Sequence, residues 1–297
     1  MVEAGPTLIG AAAALASAGS WALGSVLFRR LGDVLAPVLL TTAKGVAGAS
    51  MLALVFWPLA TQPVPTEAFW LLVGSGLLGI AVGDTLFFMA LNRLGAQAVV
   101  LLLTLGQVLT VLLAVLWLGE RPGLAGWFGI LLVISGVGLV MWRRIGDDPG
   151  RTQRIGVWCG LGAVVCMAVS IVIAKQALDA GVNSVAATLV RMLAGTVGAA
   201  ALGIVTGQRV GALRPALTPR FIGFFLLSVA VVTFGGFWLS LFAVEHAGVA
   251  IASTLGSLEP VLVLPFAAVM LRERITRPVF AGSVAATVGA ILLARPW

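Results

Sequence analysis

Apolar residues fall into ten stretches, at about 7–28, 34–60, 68–91, 96–118, 123–142, 155–178, 184–206, 221–244, 247–271 and 278–293. Between them lie short breaks with loop chemistry, such as Gln62-Pro63-Val64-Pro65, Gly146-Asp147-Asp148-Pro149-Gly150, Arg214-Pro215 and Thr218-Pro219. Most stretches approach the roughly 20 residues that a helix needs to cross a bilayer. The alternating pattern of barrel strands is absent, and in lipid the backbone must satisfy its own hydrogen bonds, so the stretches are expected to be helices. The predicted class is an all-α polytopic membrane protein with ten transmembrane helices.

The pattern occurs twice. The stretch 83–142 aligns without a gap on 236–295, with Ala90 on Ala243, Gly95 on Gly248, Val108-Leu109 on Val261-Leu262, Glu120-Arg121 on Glu273-Arg274, Gly129 on Gly282 and Gly136 on Gly289. Earlier in each half, Thr41, Lys44, Ala47 and Gly48 fall on Thr188, Arg191, Ala194 and Gly195. The charged stretch 143–154 separates a first repeat (1–142) from a second (155–297). Five spans is an odd number, so the second repeat must begin on the opposite side of the membrane, and the two repeats are predicted to be inverted. This period is too long for a solenoid and suits a transporter built from two pseudo-symmetric halves.

Composition supports this reading: 60% of the 297 residues are hydrophobic and 10% charged, against about 25% charged in soluble domains. The net charge of +7 does not point to nucleic acid, because the arginines sit at the ends of apolar stretches (Arg29-Arg30, Arg143-Arg144, Arg272 to Arg277), where they anchor at headgroups. Trp57, Trp70, Trp117, Trp142 and Trp158 lie near span ends, as indoles at an interface do, whereas Trp21 and Trp238 lie deeper. Small-xxx-small spacing at Gly79/Gly83 and Gly156/Gly160 predicts close helix contacts. Glu3 and the lack of a basic leader argue against a cleaved signal peptide. Cys159 and Cys166, with no histidine near, are read as packing residues, and no metal or cofactor is expected.

Lys44 and Arg191 each lie inside an apolar stretch, in the shared pattern Thr-x-x-Lys/Arg-x-x-Ala-Gly, on a helix face of small and polar residues. An unpaired cation in a bilayer costs several kcal/mol or more, so a partner or a water-filled space is implied. They either face a central cavity that receives anionic or zwitterionic solutes, or snorkel to an interface or bond backbone carbonyls. Asp84 and Glu259 are the deepest acids, and their counterparts are Phe237 and Gly106, so they break the symmetry. Either acid could relay a proton or pair with Lys44 or Arg191. Pro260 leaves the Gly256 carbonyl without its helical donor and Pro265 does the same for Val261, which predicts a kinked or opened helix beside Glu259. Glu120 and Glu273 are expected to cap the N-termini of the helices that follow them. His246 and Lys175 are read as interfacial, with Lys175 snorkelling.

No P-loop, His-Glu-x-x-His or Gly-x-Ser-x-Gly pattern occurs, so no recognisable catalytic set is present and the chain is not expected to be an enzyme. Trp21-Ala22, Lys44, Arg191, Gly95-Ala96, Leu118-Gly119-Glu120-Arg121, Gly129, Gly136, Leu258-Glu259-Pro260-Val261, Glu273-Arg274, Gly282 and Gly289 together resemble the EamA-type branch of the drug/metabolite transporter superfamily. The resemblance covers nearly the whole chain. It implies a secondary transporter of small metabolites, amino acids or drugs, often outward, by alternating access around a cavity between the repeats. Lys44 departs from the arginine more usual in the first repeat, which makes anion recognition there less fork-like.

The resulting expectation is a multi-pass inner-membrane exporter, monomeric or homodimeric, with protons as a possible coupling ion. Trp21, Lys44, Asp84, Arg191, Trp238 and Glu259 are expected to line its cavity. The competing classes are a polytopic enzyme acting on lipid-linked substrates, which lacks the clustered acids, histidines or serines it would need, and a non-transporting scaffold. Arginine asymmetry places both termini outside the cytoplasm. The resemblance implies cytoplasmic termini, so the side stays open at this level.

Overall fold

The computed structural model describes residues 4–60, 62–113, 123–145, 150–208 and 218–293. Among these residues there is no strand. The helices run in order α1 (Ala4–Leu31), α2 (Pro37–Val55), α3 (Trp57–Ala60), α4 (Thr66–Gly76), α5 (Thr85–Leu94), α6 (Ala96–Leu103), α7 (Leu105–Leu113), α8 (Leu124–Ile145), α9 (Arg151–Asp179), α10 (Ser184–Val205), α11 (Pro219–Ala230), α12 (Leu239–Gly256), α13 (Glu259–Met270) and α14 (Arg277–Leu293). Residues Leu77–Asp84 and Val231–Trp238 are π-helical and join α4 to α5 and α11 to α12. Seven continuous helices are long and apolar enough to cross a membrane, and three shorter apolar ones accompany them. The predicted Glu120-Arg121 turn, Trp117, and the Gly146 to Pro149 break lie outside the described residues.

Local chemistry marks the helix starts. Asn183 accepts a hydrogen bond from the Ala186 N–H at 2.9 Å, Thr218 accepts from Phe221 at 3.3 Å, and Pro37 and Pro219 occupy first-turn positions where no donor is needed. Large apolar side chains face outward along the helices, among them Leu54, Phe128, Val197 and Val269. A soluble surface would not carry so many, whereas lipid accommodates them. Trp57, Trp70, Trp142 and Trp158 are exposed as expected.

The repeated glycines pack the halves together. A Cβ on Gly136 would lie 2.5 Å from the Gly282 carbonyl oxygen, and one on Gly129 would lie 2.8 Å from that of Gly289. The reciprocal approaches, Gly282 to Gly136 and Gly289 to Gly129, are 2.8 and 2.6 Å. Gly129 thus meets the counterpart of Gly136, and Gly136 the counterpart of Gly129, so α8 and α14 cross antiparallel about a local two-fold. Only hydrogen fits between backbones this close. The other predicted small positions behave alike: Gly79 abuts Ser170, Gly83 abuts Cys166 and Met167, Gly156 abuts Arg93 and Leu94, and Gly160 abuts Leu102 and Ala90.

A second matched pair sits at Gly95 (φ 85°, ψ 167°) and Gly248 (φ 78°, ψ 164°). This region is essentially reserved for glycine; at Gly95 it separates α5 from α6, and at Gly248 it divides α12 into two helices across a kink. The first turn of α6 begins beside Gly95, and its Ala96 N–H donates to Glu273 Oε1 at 3.3 Å. Glu273 therefore caps a helix of the other half, a contact that the sequence did not suggest.

Candidate functional site

The π-helical segments are the feature that builds the site. They fall at matching places in the two halves, one ending at Asp84 and the other running through Phe237 to Trp238. A π turn widens the helix and redirects the side chains at its end, and such turns recur at functional positions. Here both ends converge on the same cation. Lys44, on the buried face of α2 with Thr41, Gly45 and Gly48, forms an ion pair through Nζ with Asp84 Oδ2. The two side chains are 2% and 4% exposed. Three rings surround the ammonium, with centroids at 4.7 Å (Phe237), 5.3 Å (Phe88) and 6.0 Å (Phe28). Burying an ammonium costs several kcal/mol. The carboxylate and the ring faces, the latter worth about 0.5–2 kcal/mol each, offset that cost.

Trp21 completes this centre. It stacks edge-on against Phe237 at 4.9 Å and its indole lies over Gly236, where a Cβ would come within 3.0 Å of the ring. Ser17 Oγ donates to the Gly236 carbonyl at 3.2 Å, tying α1 to the second π segment. The free space left beside Lys44 and Asp84 is only about 10 Å3. A cleft of about 660 Å3 between α2, α5, α9 and α10 includes Thr85, the residue after Asp84, together with Val82 and Arg93. Thr85 Oγ1 donates to Thr41 Oγ1 at 3.2 Å.

Arg191, the counterpart of Lys44, has a different environment. Its Nε donates to Ser75 Oγ at 2.9 Å and one terminal nitrogen donates to Ser170 Oγ at 3.1 Å. The two serines also bond each other's carbonyls, at 2.7 and 2.8 Å. Gly76 lets the α4 backbone approach the Arg191 carbonyl, where a Cβ would sit 2.3 Å away. Among the described residues Arg191 makes no ion pair, although Asp84 acts on it through space. Positions 44, 84, 191 and 237 are thus gathered at the centre of the bundle. Lys44 and Arg191 do not snorkel; both are buried with partners inside the protein.

Two expected members stand apart. Trp238 packs against Phe56 at 4.6 Å and Phe242 at 5.7 Å, in a cluster with Leu52 and Val185. Its Nε1 is buried with no hydrogen-bond partner among the described residues. Glu259 opens α13 after a turn at Ser257-Leu258 and makes no ion pair with Lys44 or Arg191. The break predicted from Pro260 is present, while Pro265 sits inside a continuous helix. The other half breaks at the matching place, Thr104, without a proline, and the two breaks touch through Gln107 Nε2 donating to Ser257 Oγ at 2.7 Å.

The remaining polar residues have local roles. Lys175 pairs with the exposed Asp179 at 2.7 Å along its own helix. His246 stacks on Phe242 at 3.9 Å. No His, Cys, Asp or Glu cluster able to hold a metal occurs among the described residues.

A family model described as "EamA-like transporter family" matches residues 8–142 and again 154–295. The chain therefore belongs to the EamA-like transporter family. A solved crystal structure, described only as "Crystal structure of protein", superposes with a TM-score of 0.65 at 19% identity, covering 97% of this chain and 96% of that one. At that identity the likeness concerns the fold. No curated protein matches the chain.

Proposed function

We propose that the protein is a secondary transporter that carries small organic solutes, of the metabolite, amino-acid or drug class, outward across the cytoplasmic membrane by alternating access. The ten apolar segments act as ten spans in two inverted repeats joined by 143–154. The observation that carries this reading is the ion pair of Lys44 and Asp84, buried in an apolar bundle where two repeated π-helical segments end. Intramembrane charge is expensive to keep and marks solute or ion pathways. The repeated glycine hinges at Gly95 and Gly248 and the helix breaks at Thr104 and Ser257 supply matched flexible points in each half.

Within this reading Arg191 offers the site a cation whose hydrogen bonds go to neutral hydroxyls, suited to a solute's carboxylate. Glu259 is the proton-carrying acid, since Asp84 already has Lys44 as its counter-ion. Trp238 lines the path away from the central pair. A solute screen by thermal stabilisation of the purified chain, followed by flux measurements in proteoliposomes, tests the reading. Flux should fall at least about tenfold in Asp84→Asn and Arg191→Ala, and Glu259→Gln should abolish substrate-driven pH change. Wild-type flux in all three variants would sink the assignment.

A further inference from the structure

The surroundings of Lys44 Nζ are those of an ammonium receptor. One carboxylate, Asp84, faces it, and the rings of Phe237, Phe88 and Phe28 stand around it. Ring faces attract cations and repel anions, so the enclosure selects positive charge. Only about 10 Å3 remains free beside the pair, so it holds one ammonium at a time. The occupant is a lysine head on a flexible four-carbon stem, a group that can be withdrawn. From these observations we infer that the cage binds the primary ammonium group of the transported solute, and that Lys44 occupies it as a tethered substitute while the carrier is empty. The inference rests on the transport reading above. It explains why a lysine stands where the second half has an arginine: a guanidinium is broader and is not a copy of an amine. It also gives Asp84 a counter-ion during the return of the empty carrier, when a bare carboxylate in the bundle would be costly.

The test is chemical rescue. Lys44→Ala removes the atoms that n-propylammonium would replace, so this cation should raise the melting temperature of the purified variant by about 3 °C or more, while n-propanol and propionate should not. Should the variant not fold alone, propylammonium and not propanol during purification should yield monodisperse protein. Lys44→Ala/Asp84→Asn should lose the rescue. In wild-type proteoliposomes lysine and ornithine should be carried in preference to glutarate and succinate. Absent rescue, equal rescue by propanol, or carriage of glutarate and succinate alone would each overturn the inference. Rescue without any solute flux would leave the cage standing and remove the transport reading instead.

Discussion

Lys44 and Arg191 hold the same position in a duplicated scaffold, and each lies on the buried face of its helix. Their neutralisation differs. Lys44 has a carboxylate and three ring faces, whereas Arg191 has two serine hydroxyls and feels Asp84 only through space. A large part of the difference lies at one pair of aligned positions, Asp84 against Phe237, and Phe28 and Phe88 add the other two rings. Because both π segments end at the centre, that single exchange gives Lys44 both an anion and an aromatic face. Duplication supplied two cation positions, and divergence at the facing position gave them separate chemistries.

The comparison is broken most sharply by removing one charge of the pair. Asp84→Asn or Lys44→Met leaves a buried charge uncompensated and should destabilise by about 3–5 kcal/mol. Arg191→Met leaves serines that already bond each other and should cost only about 1–3 kcal/mol. Thermal or denaturant unfolding in detergent reads both, and equal losses would mean that the two sites are energetically alike. Next in size is the scaffold the halves share. Gly136→Ala drives a methyl into the Gly282 carbonyl and should cost about 1–3 kcal/mol, while Gly138→Ala, whose Cβ meets open space, should be neutral or stabilising. The smallest effect belongs to the cap between the halves. Glu273→Ala should cost about 0.5–2 kcal/mol, and hydrogen exchange at the Ala96 amide should rise without change at α10.

Much of this architecture was legible in the chain. The two-fold repeat follows from aligned glycines, and the break at Pro260 follows from a missing donor. The ion pair was only one of several options, because sequence spacing does not say which of Asp84 and Glu259 meets which cation. The π segments were invisible, since a turn of i to i+5 bonds leaves no periodicity that apolar runs can report. The same blindness hid the serine cradle: Ser75 and Ser170 belong to different halves, and nothing local marks them as neighbours. Phe237 was visible only as the residue aligned with Asp84, and its place beside Lys44 depends on how the two π segments meet. The contact of Glu273 with the Ala96 amide was hidden because capping is decided by proximity in space. The break at Thr104 carries no proline and could be suspected only from the repeat.

Solute flux over the four corners of a double-mutant cycle decides whether the Lys44–Asp84 pair is the transport site. Lys44→Met, Asp84→Asn and the double variant are reconstituted beside wild type, with folded protein in each preparation quantified. The account predicts that the double variant recovers most of the stability lost by either single change, yet carries solute at least about tenfold more slowly than wild type. A double variant that is folded and transports at the wild-type rate would show the pair to be structural and would contradict the account.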